Sequence, residues 1–284
     1  MTSPATERFR RWVAAETPSA PLVRFRVAFA AIWLVYDVLD LTLAGTARIH
    51  DWPGAGPAGG LPMIQVALIA CEVLMLLGEP ARLTPVVTLL AAALRGLEWY
   101  AYLQLNDFAY YGVTALILAQ TPAVGGVFTL PQSNDAGGRA TVTKWPRDVL
   151  VWQAAWMYFA TALLKVNPTW LSGRHLYVRF QYLRFAFGWR FPDLMNRCAD
   201  SLGCDALLAA GGVLGEVTLA VLLFVYPRRR LALPIACGIH IFAAFATNVW
   251  FFGPSLIAQV GFLTYASMTD SRKNRDTSGG LQAS

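Results

Sequence analysis

Residues 205–226 read DALLAAGGVLGEVTLAVLLFVY, and Glu216 is the only charged residue after Asp205 in this stretch. A helix of about 20 apolar residues matches the thickness of a bilayer, and apolar stretches of similar length recur between residues 22 and 268. Charged residues make up 14% of the 284-residue chain, whereas soluble domains carry roughly 25%. The sequence therefore predicts a multi-pass membrane protein, not a cytosolic enzyme, a disordered chain or a secreted disulfide scaffold.

The apolar pattern predicts an all-α fold, a transmembrane helical bundle of about eight spans. Seven spans are the alternative, because the last stretch is short. Residues 1–20 are predicted to form a cytoplasmic N-terminal tail, residues 21–268 a transmembrane domain, and residues 269–284 a polar C-terminal tail. The predicted spans cover residues 21–43, 61–78, 83–103, 108–130, 148–165, 205–226, 231–252 and 254–268.

The basic residues lie mainly in the short connections between apolar stretches. Because cytoplasmic connections of membrane proteins are enriched in Lys and Arg, this distribution predicts a cell-membrane protein with both termini in the cytoplasm. The net charge of +6 is not gathered in one patch. We therefore expect the lipid bilayer, and not nucleic acid, to be the partner of these charges.

The segment 170–191 mixes arginines evenly with aromatic residues, which is typical of an amphipathic helix in the membrane interface. It is either a lid for a lipid-like substrate or an ordinary interfacial connection, and the second interpretation is the simpler one. Within the same outward-facing connection, the sequence leaves open whether Cys198 and Cys204 form a disulfide or remain free thiols. The histidines and cysteines show no metal-binding spacing, so no metal is expected.

Ionisable residues inside predicted spans are costly and usually pair with one another or carry a function. We expect pairing between Arg95 and Glu98, three residues apart on one helix, while the sequence suggests no partner for Glu72. Asp37 and Asp40 share a face and are expected to meet a nearby arginine, for which the candidates are Arg24, Arg26 and Arg95.

Lys165 ends an aromatic span and has Tyr158 one heptad earlier on the same stripe. A lysine held out of water can act as a base near neutral pH, or it can extend towards the interface. His240 lies mid-span, where it is either a satisfied core residue or part of a site. Glu216 needs a proton or a partner, and the Gly211–Gly215 spacing beside it predicts close helix packing.

Four segments, in order, resemble the vitamin K-dependent gamma-carboxylase superfamily, whose bacterial members are called HTTM proteins. The most telling one is Lys165-Val-Asn-Pro-Thr-Trp170-Leu-Ser-Gly173, which resembles the family's Lys-x-x-x-x-Trp-x-x-Gly segment. Together they cover about residues 20–268. The others are residues 24–40 with their Tyr-Asp end, Asn106-Asp107-Phe-Ala-Tyr-Tyr, and Glu216 followed by Gly238-Ile-His240 and Phe251-Phe252.

The resemblance implies that Lys165 is the base that deprotonates a hydroquinone. The chain departs from the family at Asp107, which stands where the family has its catalytic histidine. The family's carboxylase also has a large domain outside the membrane, whereas this sequence ends about 16 residues after the last predicted span. We therefore do not expect peptide carboxylation by this chain alone.

The sequence thus predicts a membrane protein that binds or oxidises a quinone-like lipid within its bundle. Lys165, Asp107 and His240 are the predicted catalytic residues, and the predicted ligand contacts are Asn106, Tyr158, Trp170 and Glu216. One alternative is a non-catalytic scaffold or subunit with a membrane or periplasmic protein partner, which Asp107 in place of histidine would permit. A weaker alternative is a small proton-coupled transporter that uses the intramembrane acids as a relay.

Overall fold

The computed structural model describes residues 3–43, 62–77, 87–88, 105–119, 141–187, 201–225, 231–247 and 252–265, and most of these residues are helical. Two three-residue strands, β1 (Glu16–Pro18) and β2 (Thr141–Thr143), pair antiparallel. The helices are α1 (Pro4–Ala14), α2 (Ala20–Leu43), α3 (Pro62–Leu77), α4 (Leu105–Ala119), α5 (Trp145–Lys165), α6 (Pro168–Leu171), α7 (Arg174–Phe187), α8 (Leu202–Phe224), α9 (Ala232–Thr247) and α10 (Phe252–Val260), which continues as a π-helical turn (Gly261–Tyr265).

The chain forms two compact units, residues 1–150 and residues 151–284, and the division falls within α5. The helical content agrees with the predicted all-α class. The described helices also follow the predicted spans where the two overlap, whereas nearly all of the span predicted at 83–103 lies outside the described residues. The single transmembrane domain over residues 21–268 stays a prediction.

The first unit has an aromatic core between α2 and α4. The ring of Trp33 lies 4.6 Å from that of Tyr111, and the ring of Phe29 lies 5.2 Å from it. The Tyr111 hydroxyl donates a 2.8 Å hydrogen bond to Glu72 on α3, which gives this buried carboxylate a partner that the sequence did not suggest. The pairing predicted between Arg95 and Glu98 lies outside the described residues.

The predicted N-terminal tail contains ordered structure in residues 3–18. Ser3 caps α1 by accepting a hydrogen bond from the Thr6 amide, and β1 then pairs with β2 in the register Glu16↔Thr143. This sheet was not predicted from the sequence, because strands of three residues are too short to show an alternating pattern.

In the second unit, α8 packs against α6, α7 and α9, and α9 also packs against α7 and α10. Leu176 and Phe180 of α7 are buried with Ala209 of α8. The segment predicted to lie in the membrane interface therefore includes a helix with one face held against its neighbours. Of the two glycines in the predicted packing motif, Gly215 faces Ile239 of α9, whereas no described residue lies within 4 Å of a Cβ atom added at Gly211.

Among the described residues, one helix is long and apolar enough to cross a membrane, at Gly203–Phe224, and two shorter apolar helices lie at Val66–Leu77 and Ala232–Ala244. The long helix exposes Leu207 and Leu214, by 76% and 68%, on a face that water solvates poorly. This surface supports membrane association, while the number of spans stays a prediction.

Cys204 is disulfide-bonded, and Cys71 and Cys237 are free thiols. The two free thiols lie in α3 and α9, as expected of small residues within apolar helices. The sequence left a disulfide and two free thiols open for Cys198 and Cys204, and the bonded state of Cys204 excludes a free thiol there. Cys198 lies outside the described residues.

Candidate functional site

Lys165 and Glu216 form an ion pair between the end of α5 and the middle of α8. The Lys165 ammonium donates a hydrogen bond to Oε1 of Glu216. The side chain of Glu216 is 8% exposed and that of Lys165 is 27% exposed. The Glu216 side chain therefore lies in the protein interior, while the Lys165 side chain is only partly buried. Each charge offsets the cost of removing the other from water.

Trp170 completes the surroundings of the Lys165 ammonium. Lys165 Nζ lies 5.1 Å from the centre of the indole ring, which is within the range of a cation–π contact. The His175 ring lies against the same indole, with the ring centres 4.8 Å apart. Lys165 is thus held between a carboxylate and an aromatic face, with an imidazole next to that face.

The turn after α5 explains how Trp170 reaches Lys165. The side-chain oxygen of Asn167 accepts a 2.9 Å hydrogen bond from the Trp170 amide, and its Nδ2 donates to the Leu164 carbonyl oxygen at 2.9 Å. Asn167 therefore both caps α6 and ties it to the end of α5, and Pro168 supplies the fixed φ suited to a first helical position. This turn brings the indole ring of Trp170 next to the Lys165 ammonium.

Gly173 allows the next turn to pack against α8. Its φ of +77° is a conformation that favours glycine. A Cβ atom at this position would lie 2.3 Å from the Ala206 amide nitrogen and 2.5 Å from the Asp205 carbonyl carbon. A side chain is therefore excluded both by the backbone conformation and by the contact with α8. These constraints give the Lys165–Trp170–Gly173 spacing a structural reason.

A second polar pair involves Tyr158, which lies about two turns before Lys165 on α5. The Tyr158 hydroxyl and Nε2 of His240 are 2.7 Å apart, and Tyr158 is almost completely buried. Gly253 of α10 packs against the imidazole, since a Cβ atom there would lie 3.0 Å from Nδ1 of His240. The hydrogen bond and the close contact fix the position of the ring.

The electrostatic surroundings of His175 favour its neutral form. Partial burial of the ring lowers the pKa of His175, and the positive charges of Arg179 and Lys165 lower this pKa further. A neutral imidazole suits a position near an ammonium group.

Thr161 lies between the two polar pairs on α5 and neighbours the Glu216 carboxyl group. Its hydroxyl is oriented towards the carbonyl oxygens of Met157 and Tyr158, at 2.9 and 3.0 Å. Two buried atoms of the site, Oε2 of Glu216 and Nε1 of Trp170, make no hydrogen bond to the described residues. Buried polar atoms usually have a partner, and these two have none among the described residues.

The structure brings five of the seven predicted site residues into the second unit: Lys165, Glu216 and Trp170 in one cluster, and Tyr158 with His240 in a hydrogen-bonded pair. Asn106 and Asp107 lie in the first turn of α4 in the first unit, and their side chains are outside the described residues. Sequence reasoning missed His175 and Thr161. The position of Thr161, one helical turn before Lys165, was the available signal.

The described residues contain no group of three His, Cys, Asp or Glu side chains that could hold a metal ion. Comparisons of the chain with protein family models, with curated proteins and with solved structures found no match. The relation to the gamma-carboxylase superfamily is therefore an expectation from the sequence resemblance alone.

Proposed function

We propose that this chain is a multi-pass membrane protein of the HTTM type that binds a quinone-like lipid beside Lys165. The observation that carries the proposal is the Lys165–Glu216 ion pair beneath Trp170, with Oε2 of Glu216 and Nε1 of Trp170 left to a ligand. An isolated charge in an apolar helix would be costly. A charged pair with unused hydrogen-bonding atoms favours a polar headgroup on a lipid-soluble ligand.

The chemistry of these atoms fits a quinone and its reduced form. The indole Nε1–H of Trp170 can donate to a carbonyl oxygen, and Oε2 of Glu216 can accept a hydrogen bond from a hydroxyl group. The Lys165 side chain is partly exposed, and the indole of Trp170 offers an aromatic face on which a planar ring could stack. A quinone would supply the redox chemistry, and the chain would bind it and move protons.

Lys165 must lose a proton before it can act as a base. Glu216 provides the acceptor: transfer of the proton from Nζ to Oε1 converts the ion pair into a neutral amine and a neutral carboxylic acid. An environment poor in water favours this conversion, because it penalises two separate charges. The lone pair of the neutral amine can then take the proton of a ligand hydroxyl, so the net transfer is from ligand to Glu216.

The Tyr158–His240 pair supports a second role for α5 within the same proposal. Each ring can donate and accept a proton, and Thr161 lies between this pair and Glu216. We assign His240 and Tyr158 to the polar end of the ligand site or to the removal of the proton from Glu216. Asp107 and Asn106 stay in the proposal on the sequence resemblance alone.

The membrane placement is part of the proposal. It has eight spans, both termini in the cytoplasm, and the connection after α5 on the outer side of the cell membrane. The exposed apolar residues of α8 and the distribution of Lys and Arg support this arrangement.

Native mass spectrometry of the detergent-purified protein tests the ligand. We expect a quinone-sized lipid bound to the wild type, reduced about tenfold or more in Lys165→Ala, since that variant loses a charge-assisted contact of roughly 1.5–3 kcal/mol. Lys144→Ala is the matched control, because Lys144 also pairs with an acid, Asp148, but lies on the first unit. Equal lipid binding by all three proteins would contradict the proposed site.

Quinol-dependent oxygen consumption tests the proton transfer separately. Lys165→Ala is expected to abolish this activity when it is measured per mole of folded protein, and Lys144→Ala to retain it. Unchanged consumption in Lys165→Ala would remove the catalytic role while leaving ligand binding to the first experiment.

A non-catalytic scaffold is the second candidate, and one observation favours it: Glu216 and Trp170 already satisfy the Lys165 ammonium. In that case the pair only holds α5 against α8. The scaffold predicts no specific lipid in native spectra and co-purification with a membrane or periplasmic protein partner.

A further inference from the structure

The first helix, α1, has an amphipathic surface that the proposed ligand site does not use. Ala5, Phe9, Trp12 and Val13 recur at the three- and four-residue spacing of one helix face, while the arginines of α1 lie outside that face. None of the residues of α1 is buried, and Phe9 is 61% exposed. The basic residues are Arg8, Arg10 and Arg11.

Hydrogen bonds attach α1 and the residues that follow it to the rest of the first unit. The indole Nε1–H of Trp12 donates to Asp148 at 3.1 Å, and the Lys144 amide donates to the Ala15 carbonyl oxygen at 2.7 Å. Arg147 of α5 donates a 2.8 Å hydrogen bond to Oγ1 of Thr17, and Thr17 belongs to β1, which pairs with β2. Phe9 and the three arginines are therefore held in a defined position beside the start of α5.

An exposed aromatic ring among arginines is the combination that binds an anionic lipid surface. The ring enters the boundary between headgroups and acyl chains, and guanidinium groups pair with phosphate oxygens. We propose that α1 binds anionic phospholipid headgroups and thereby anchors the start of α5 at the membrane surface. This inference rests on the proposed membrane association and is independent of the Lys165 site.

The alternatives explain fewer of these features. A soluble anionic partner would account for the arginines but would leave Phe9 exposed to water. A purely apolar partner would place Arg8 and Arg10, the sequence neighbours of Phe9, near a surface without counter-charges. A lipid headgroup region supplies both negative charge and an apolar layer.

Hydrogen exchange of the full-length protein in nanodiscs tests the proposal. We compare the amides of residues 4–14 in discs of phosphatidylcholine with those in discs that contain about 30% phosphatidylglycerol. Each basic residue near an anionic surface strengthens binding by roughly fivefold, so exchange of α1 is expected to slow by on the order of tenfold or more in the anionic discs. Raising the salt to about 1 M should remove the difference, because the screening length then falls to about 3 Å.

The test variant replaces Arg8, Arg10 and Arg11 with Gln, and it should lose the difference between the two lipid compositions. The matched control replaces Arg272, Lys273 and Arg275 with Gln, which removes the same charge elsewhere, and it should keep the difference. Phe9→Ser should reduce protection in both kinds of disc. Equal exchange of the wild type in both compositions, or equal effects of the two triple variants, would overturn the proposal. Failure of the protein to enter nanodiscs would instead count against the membrane proposal.

Discussion

At the scale of single residues, the arrangement around Lys165 depends on two neighbours of different chemistry. Glu216 neutralises the ammonium, and Trp170 shields it with an aromatic face. The carboxylate is more deeply buried than the ammonium, so Glu216 depends more on the contact. Removing either partner alone should therefore have unequal consequences.

We predict that Lys165→Met lowers the free energy of unfolding by about 3 kcal/mol, near the lower end of the range for breaking a buried pair. The expected cause is that Glu216 remains buried without a counter-charge. The double variant Lys165→Met/Glu216→Leu should recover most of this loss, because no charge is then left inside. Denaturation of the detergent-purified proteins measures the three values. A double variant as unstable as Lys165→Met would show that the pair does not act as a unit.

Among the secondary-structure elements, the turn between α5 and α7 sets the geometry of the site. Asn167 caps α6 and fixes Trp170, while Gly173 lets the start of α7 approach the backbone of α8. This turn therefore links the position of Trp170 to the packing of α7 against α8. Gly173 is the position in the turn that is most sensitive to substitution, because its φ and its contact with α8 both exclude a side chain.

We predict that Gly173→Ala destabilises the protein by roughly 2–4 kcal/mol and displaces α7 from α8. The added Cβ atom would lie 2.3 Å from a backbone nitrogen, and the positive φ adds strain of about 1–2 kcal/mol. Gly211→Ala is the matched control, because nothing lies within 4 Å of its added Cβ atom and alanine favours a helix by about 0.5–1 kcal/mol. Melting temperatures should fall in the first variant and stay equal or rise in the second. A similar fall in both would refute the close approach at Gly173.

At the scale of the whole molecule, the surface chemistry points towards a membrane. Described helices of both units expose large apolar residues, among them Val66 of α3, Trp156 and Leu164 of α5, and Leu207 of α8. Exposure of this much apolar surface to water is unfavourable, whereas its contact with lipid acyl chains is favourable. The polar contacts described above lie within each unit.

We predict that both termini lie in the cytoplasm. A fluorescent protein fused after residue 284 should be bright, and alkaline phosphatase fused there should be inactive. Fusions placed after residue 190, in the connection expected outside, should give the opposite result. This expectation follows from the excess of Lys and Arg in the predicted cytoplasmic connections. An active phosphatase at residue 284 would favour an odd number of spans, such as the alternative of seven.

The local features of this protein could be predicted from its sequence. Apolar stretches predicted the helices at 20–43 and 202–224 within a few residues, because a helix is closed by hydrogen bonds between near neighbours. The same local periodicity placed Tyr158 and Lys165 on one face of α5. It also identified Glu216 as a buried acid in need of a partner.

The contacts between residues that are distant in sequence became known from the tertiary structure. Lys165 and Glu216 are 51 residues apart, Tyr158 and His240 are 82 residues apart, and the strand over residues 16–18 finds its partner at 141–143. Such contacts depend on how whole helices pack, which is set by the combined shape of many side chains and not by any local pattern. The residues of the candidate site could therefore be recognised from local sequence patterns, while their pairing is a property of the folded chain.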